Sequence, residues 1–512
     1  MTLRLILGDQ LNILHPWFKN PSPEVIYLMM EMRQETDYVK HHIQKIIAFF
    51  GAMRHFAQTI ENKGHRIKYI AINSSENKPT LEENLKKQID FFRAKRFEYM
   101  APDEYRLDIQ LKQFCTTLDL PYAMVDTDHF LTTRSVLSDF FKGKKQFVME
   151  YFYRDMRRNL NILMLGLQPE EGQWNFDKNN RNKWTGKPSI PPHYKPQNDI
   201  HQLKQLYELI TIAGVTTIGH FDEDSFSFPL SREEALKQLE YFCVYLLPHF
   251  GDFQDALHTD EVNLFHARIS FALNAKIIGP LEVVEIAVEH YRKNKNQIAF
   301  SQIEGFVRQI IGWREYIRGI YWHKMPEYAS LNKLNNHQPL PNFYWNGKTK
   351  MNCLHHSITN SLSHAYAHHI QRLMIIGNFS LLSQLHPDAV DGWYLGIYAD
   401  AIEWVQLPNT RGMSQWADGG IVATKPYVSA AAYIHKMSNY CSKCGYDKSI
   451  RVGENACPFN ALYWNFLDDK KQHFEKNNRM VMMLRLLEKI SQKEMVKIKQ
   501  RAEEIIQNPD AF

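Results

Sequence analysis

Along the first 125 positions, short apolar runs alternate with longer amphipathic stretches. Leu3–Leu7 is an apolar run closed by Gly8-Asp9-Gln10, and Val25–Met30 is a second. Arg66–Ile72, Phe97–Met100 and Tyr122–Val125 add three more strand candidates. Between Tyr38 and Asn62, apolar residues recur at Val39, Ile43, Ile46, Phe50, Met53, Ala57 and Ile60; steps of three and four predict an amphipathic helix. Thr80-Leu81-Glu82-Glu83 reads as a capping box opening another. Strands alternating with helices predict a parallel, Rossmann-like sheet with helices on both faces.

Gln168 to Asp199 breaks the pattern, being polar and rich in Asn, Lys, Gly and Pro. Beyond it apolar residues keep helical spacing and no alternating strand stands out. The expected organisation is an α/β domain over 1–135, an interdomain linker over 136–200 and a large all-α domain over 201–512. The 512 residues, 44% of them hydrophobic and 13% aromatic, are ample for real cores, so global disorder is excluded. A formal net charge of +5 permits nucleic-acid binding through a local patch without demanding it. No apolar stretch approaches eighteen residues, and MTLRLILGDQ reads as a strand and not a signal peptide. A cytoplasmic protein is expected.

Six cysteines are present, and three of them fall in the pattern C-x2-C-x12-C-P at Cys441, Cys444 and Cys457. With Cys353 upstream they make four soft ligands, suited to zinc or to an iron–sulfur cluster in a reducing compartment. Cys115 and Cys243 have no such neighbours and read as core residues. In Ser363–Arg372, taken as helical, His364 and His368 share a face at i,i+4 and His369 points about 100° away. Paired imidazoles suit proton transfer near neutral pH or metal binding, but no H-E-x-x-H acid accompanies them. Asp400 and Glu403 are one helical turn apart, and Arg372 could pair with Asp400. Gly8-Asp9-Gln10 would line a pocket at a strand end, or be a plain turn; G-x-G-x-x-G and Walker patterns are lacking.

Further segments carry a resemblance. Trp174-Asn175-Phe176-Asp177, Trp313-Arg314-Glu315-Tyr316, the ADAIEWVQLPN segment, GMSQWADGG and Thr424-Lys425-Pro426-Tyr427 together resemble the photolyase/cryptochrome family. The cysteine quartet and the double histidine narrow this to the bacterial iron–sulfur branch, the prokaryotic (6-4) photolyases. The resemblance implies an antenna domain, a long linker and a helical domain holding FAD in a U shape. His266, Arg268, Ile269 and Ser270 of HARIS would meet the flavin phosphates. Arg372 and Asp400 would form an ion pair beside the isoalloxazine, with Asn409 close by and Gln406 facing flavin N5, where many photolyases carry Asn. Asn274, Gln309 and Arg314 complete the implied FAD set.

The same resemblance makes His368 and His369 lesion-site histidines with Tyr427 nearby, and makes Trp345, Trp393 and Tyr394 electron-transfer aromatics. Cys353, Cys441, Cys444 and Cys457 would hold a 4Fe–4S cluster. Asp9, Gln10, Glu35 and Tyr38 would surround a 6,7-dimethyl-8-ribityllumazine antenna. The implied activity is light-driven repair of (6-4) photoproducts in DNA. Reduced FAD donates one electron to a flipped-out lesion, and a histidine supplies a proton. The partner is UV-damaged DNA, the protein a monomer associated with the nucleoid through DNA. Two rivals stand beside it: a cryptochrome that senses blue light without repair, and a helical cluster-bearing nucleic-acid protein without flavin.

Overall fold

In the computed structural model, residues 1–144 and 146–512 are described, the side chain of Asn179 excepted. The apolar runs form β1 (Thr2–Leu5), β2 (Val25–Met30), β3 (Arg66–Ile70), β4 (Arg96–Met100) and β5 (Tyr122–Val125). They build one parallel sheet of order β3-β2-β1-β4-β5, with Thr2 opposite both Val25 and Arg96. Successive side chains of a strand point to opposite faces, and both faces here are covered. Leu3, Leu5, Ile26 and Leu28 pack with Leu85 and Leu111 in a closed core of their own. Tyr27 and Met29 face the other way, onto Ile47, Phe50 and Met53, in a core that runs on into the helical half.

The helix predicted from Tyr38 begins at Ile43 and ends at Asn62, because His42 caps it, its ring nitrogen accepting from the Gln44 N–H at 3.1 Å. Nearly every side chain of its first three turns is buried, so it serves the sheet on one side and the helical half on the other. The capping box at Thr80 forms as read: Thr80 Oγ1 accepts from the Glu83 N–H, and the Glu83 carboxylate accepts from the Thr80 N–H.

The stretch 136–200 is more than a linker. It holds helices at Val136–Phe140 and Met149–Leu160 and a two-residue ladder pairing Met164–Leu165 with Gln168–Pro169, before turning irregular. Beyond residue 200, isolated bridges are the only strand pairing among the described residues. Besides one at Phe242–Leu246, three helices there widen into π turns, at Arg308–Arg314, Gln371–Gly377 and Pro408–Ser414. Such turns are rare and concentrate at functional sites. Two of them cross at Gly377, where a Cβ would collide with Ser414 Oγ, so only glycine fits. No helix of the described residues is long and apolar enough to cross a membrane.

Candidate functional site

The three π turns enclose an inner chamber of about 780 Å³ that opens into a cleft of about 1700 Å³. Arg372, from the turn after Ile370, grips Asp400 bidentately at 2.9 and 3.1 Å. Its Nε donates to the Ala367 carbonyl at 2.6 Å, and its guanidinium lies 3.8 Å from the Tyr398 ring centre. Burial alone would raise the Asp400 carboxyl, but Arg372 outweighs it and holds the group below the ordinary carboxylate value. Asn274 donates to the Asp400 carbonyl at 2.7 Å, fixing the segment that carries the acid.

Asp400 and Glu403 do not share a face, contrary to the spacing argument. Residues 398–402 are not helical; the helix starts at Glu403, whose carboxylate accepts from Tyr321 Oη at 2.9 Å, away from Arg372. Gln406 and Asn409 line the chamber, with the Gln406 amide hydrogen-bonded to Thr410 Oγ1 and Asn409 Nδ2 donating to Val405 O at 2.8 Å. Gln309, Ile269 and Ser270 line the outer cleft.

The histidine segment also departs from the continuous helix. Its first helix, Asn352–His364, stops at Ala365, which takes the left-handed conformation at φ 48°. His364 and His368 are therefore not one turn apart on a common face. His368 instead stacks on His266, 102 positions earlier in the chain, with ring centres 4.8 Å apart and planes 17° apart. HARIS thus contributes its first residue to a histidine cluster and its Arg268 to the cleft wall. Arg268, also left-handed at φ 58°, lies 4.0 Å over the Tyr366 ring and donates to Asn263 Oδ1 and Ser227 Oγ, leaving no carboxylate on it. His369 lines both chamber and cleft, at the throat between them, whereas His368 and Tyr427 line only the cleft.

Burial drives the pKa of His266 and His369 down to about 4, aided by His369 in the first case and Arg372 in the second. His368 is pushed well down by burial, then by its histidine neighbours. Burial thus favours the neutral form of all three rings at pH 7. Between pH 6.5 and 4 the unfolded chain therefore binds more protons than the folded one, and stability falls on acidification through that window by about 1.4 kcal/mol per unit of pKa shift. Melting of the flavin-free protein is expected to drop steadily from pH 6.5 to 4.5, with a shallower slope in His266→Asn. An unchanged slope in that variant contradicts the assignment.

Several polar atoms at the cavity wall are buried without hydrogen-bond partners among the described residues: Arg314 Nε and Nη1, His266 Nε2 and His368 Nδ1. Buried polar groups seldom stay unpaired, so a polar ligand fits here. Arg314 is held from behind by His129 Nε2 at 2.9 Å.

Behind the chamber stands a row of rings. Tyr394 lines the chamber and donates its hydroxyl to Arg372 O at 2.6 Å. Trp393 lies 5.4 Å from it and Tyr344 5.1 Å from Trp393, while Tyr398 contacts both Tyr394 and Trp393. Trp345, next to Tyr344 in the chain, is 42% exposed. Tyr344 and Tyr398 were missed in the sequence; the alternation YW at 344–345 and WY at 393–394 was the available signal.

A third cavity, of about 350 Å³, is lined by Cys353, Cys441, Cys444 and Cys457 together. Burial and then the thiol neighbours Cys457, Cys441 and Cys444 raise Cys353 well above its ordinary value. Cys457, just before Pro458, is raised to about 12 by burial, against the pull of the Phe459 and Asn460 N–H groups that its sulfur accepts at the start of helix Pro458–Asp469. Four thiols gathered around one cavity suit a cationic occupant. Among the described residues, no group of three or more His, Cys, Asp or Glu stands where it could hold a single metal ion.

A fourth cavity, of about 1020 Å³, opens at the carboxyl ends of the strands and is lined by Gly8, Asp9, Glu35 and Tyr38. That is where open parallel sheets bind ligands. Gln10 is not among the lining residues; its amide donates to Met100 O at 3.2 Å and its carbonyl accepts from the Leu7 N–H, closing the turn. Lys276, from the helical half, grips Asp9 at 2.7 Å and Asp103 at 2.6 Å. Arg106 clamps Glu35 bidentately and lies 4.4 Å over Tyr38. Ala401 and Ile402 line this cavity and Asp400 the inner chamber, so three residues form the wall between them.

A family model described as deoxyribodipyrimidine photo-lyase-related protein matches residues 4–226. A (6-4) photolyase from Agrobacterium fabrum (strain C58 / ATCC 33970) is 40% identical over 491 residues, 93% of this chain and 94% of that protein. Two solved structures share the fold. One is a bacterial class III photolyase from Agrobacterium tumefaciens, at TM-score 0.55 and 16% identity, covering 83% of this chain and 81% of that one. The other is a cryptochrome from Synechocystis sp. PCC6803, at TM-score 0.54 and 11% identity, covering 81% and 82%. With identity sustained over nearly the whole length of both chains, this protein belongs to the photolyase/cryptochrome family, on its (6-4) photolyase branch.

Proposed function

We propose that this protein repairs (6-4) pyrimidine–pyrimidone lesions in DNA with blue light, binding FAD in the inner chamber and a flipped-out lesion in the outer cleft. The observation that carries the reading is the Arg372–Asp400 pair in a chamber whose throat is lined by His369. Reduced FAD, when bound, supplies the electron on absorbing light. The chain's own residues do the remaining work. Arg372, its fork fixed by Asp400 and Ala367 O, presents a positive charge to an anionic ring system. Arg268, which has no carboxylate partner among the described residues, and Arg314, whose Nη1 stands 3.6 Å from the Glu315 carboxylate, line the cleft and are placed to meet phosphates.

His369 holds a proton on a ring nitrogen for the lesion oxygen, and His368, braced by His266, assists. The sequence suggested an acid poised near neutrality, whereas burial favours the neutral form of both rings. Negative charge brought beside His369 raises its pKa toward the useful range, so proton delivery is tied to ligand binding. Flipping costs least for a damaged base, which favours lesions over intact DNA. DNA affinity rests on phosphate contacts and falls with salt.

Cys353, Cys441, Cys444 and Cys457 are proposed to hold a 4Fe–4S cluster: four thiols around a cavity suit a body whose ligands stand further apart than those of one zinc ion. The cavity at the strand ends is proposed to take a ribityllumazine antenna, walled by Asp9, Glu35 and Tyr38 and separated from the FAD chamber by Asp400–Ile402. Tyr394, Trp393 and Trp345, joined by Tyr344 and Tyr398, are proposed to bring electrons to oxidised flavin. Trp393→Phe is expected to slow photoreduction of oxidised protein at least tenfold while pre-reduced protein repairs normally; unchanged photoreduction makes these rings ordinary core.

The absorption spectrum of the purified protein, with flavin and iron counted per chain, tests the cofactor set. Flavin and cluster bands together support it. A flavin-free spectrum contradicts it and favours the flavin-less nucleic-acid protein.

A further inference from the structure

We propose that Tyr440 is a positioning residue that ties the cysteine cavity to the Arg372–Asp400 pair through Gln371. Tyr440 precedes Cys441, lines the cysteine cavity and is 1% exposed. Its hydroxyl accepts from Gln371 Nε2 at 3.2 Å, and Gln371 immediately precedes Arg372 at the start of the π turn. The Gln371 carbonyl oxygen accepts from Asn360 Nδ2 at 3.2 Å, and the same nitrogen donates to Tyr366 O. At the other end, Asn352, beside Cys353, donates to the Tyr440 carbonyl at 2.8 Å.

The bonds therefore close a loop. Helix Asn352–His364 carries Cys353 near its start and the lesion-site histidines just past its end, and Asn352 and Asn360 on that helix both join the strut. Gln371, Asn360 and Asn352 line none of these cavities; Tyr440 lines the cysteine cavity alone, and Tyr366, whose carbonyl Asn360 holds, lines the outer cleft. A buried amide that loses its one acceptor is left unsatisfied in a low-dielectric interior, and it moves to find another. For Gln371 such a move carries the Arg372 backbone with it. Loading of the cysteine site is thereby felt at the flavin pair.

The inference rests on the reading of the chamber as the FAD site and of the cysteines as the cluster site. Tyr440→Phe, which removes one oxygen, Gln371→Met and the double variant test it in flavin-loaded protein. Iron per chain is measured, and FAD release is followed by flavin fluorescence after dilution. The expected result is wild-type iron content with FAD released on the order of tenfold faster in each single variant. The double variant should release FAD no faster than the faster single one, because both changes delete the same bond.

Unchanged FAD release with iron retained overturns the proposal, as do effects that multiply in the double variant or loss of iron ahead of FAD. If Tyr440→Phe precipitates, Gln371→Met decides, since it deletes that bond from the other side, while Asn360, which loses the Gln371 oxygen too, keeps the Tyr366 carbonyl. A wild-type preparation without iron contradicts the cluster reading, while the comparison of single and double variants still decides on the strut.

Discussion

His369→Ala is expected to lower light-driven repair by about 10²–10⁴-fold, the range that a lost general acid or base removes, while FAD stays bound. The argument runs through position and charge. His369 is the histidine that lines both the chamber and the cleft, so it can reach a lesion lying against the flavin. FAD retention follows from what the change leaves alone: Arg372 keeps Asp400 and the Ala367 carbonyl, and neither contact passes through the His369 ring. His368→Ala should cost less in chemistry and more in order, because its ring is stacked on His266 and its loss leaves a buried void there. Photoreduction of the His369→Ala flavin should proceed normally. Wild-type repair by this variant excludes His369 as the proton source.

Alanine at Cys353, Cys441, Cys444 or Cys457 is expected to give insoluble or flavin-free protein. The four line one cavity between residue 353 and the 441–457 segment, so the proposed centre would bridge the two; that segment follows Tyr440 and ends at the start of helix Pro458–Asp469. Ligand binding of this kind is folding free energy, since an unfolded chain does not hold the site together. Removing one thiol leaves the other three lining the cavity with one ligand position of the proposed centre unfilled. Soluble protein with full flavin and altered photochemistry would instead assign the centre a redox task.

The sheet was legible because its central strands are largely buried: a run such as VIYLMM reads as a parallel interior strand. The cysteine quartet was legible because ligand spacing survives in one dimension. The histidine cluster was not. Nothing local announces the break at Ala365, since alanine is the strongest helix former. Its left-handed turn is held from outside, its carbonyl accepting from the Ala399 N–H and the following Tyr366 ring lying under Arg268. The pairing of His368 with His266 and of Lys276 with Asp9 and Asp103 spans more than a hundred residues each, beyond any periodicity. The resemblance named Arg372 and Asp400, and the spacing misassigned Glu403 to the same face because the helix starts only at Glu403, leaving Asp400 outside it.

The most direct measurement illuminates a (6-4)-damaged oligonucleotide with the flavin-reduced protein under blue light, beside a dark control and an oligonucleotide carrying no lesion. Intact thymines restored in the light alone, repeatedly by each protein molecule, are the predicted result. Damaged DNA that is bound yet never restored, by protein that holds reduced FAD, would contradict repair and make this chain a light sensor.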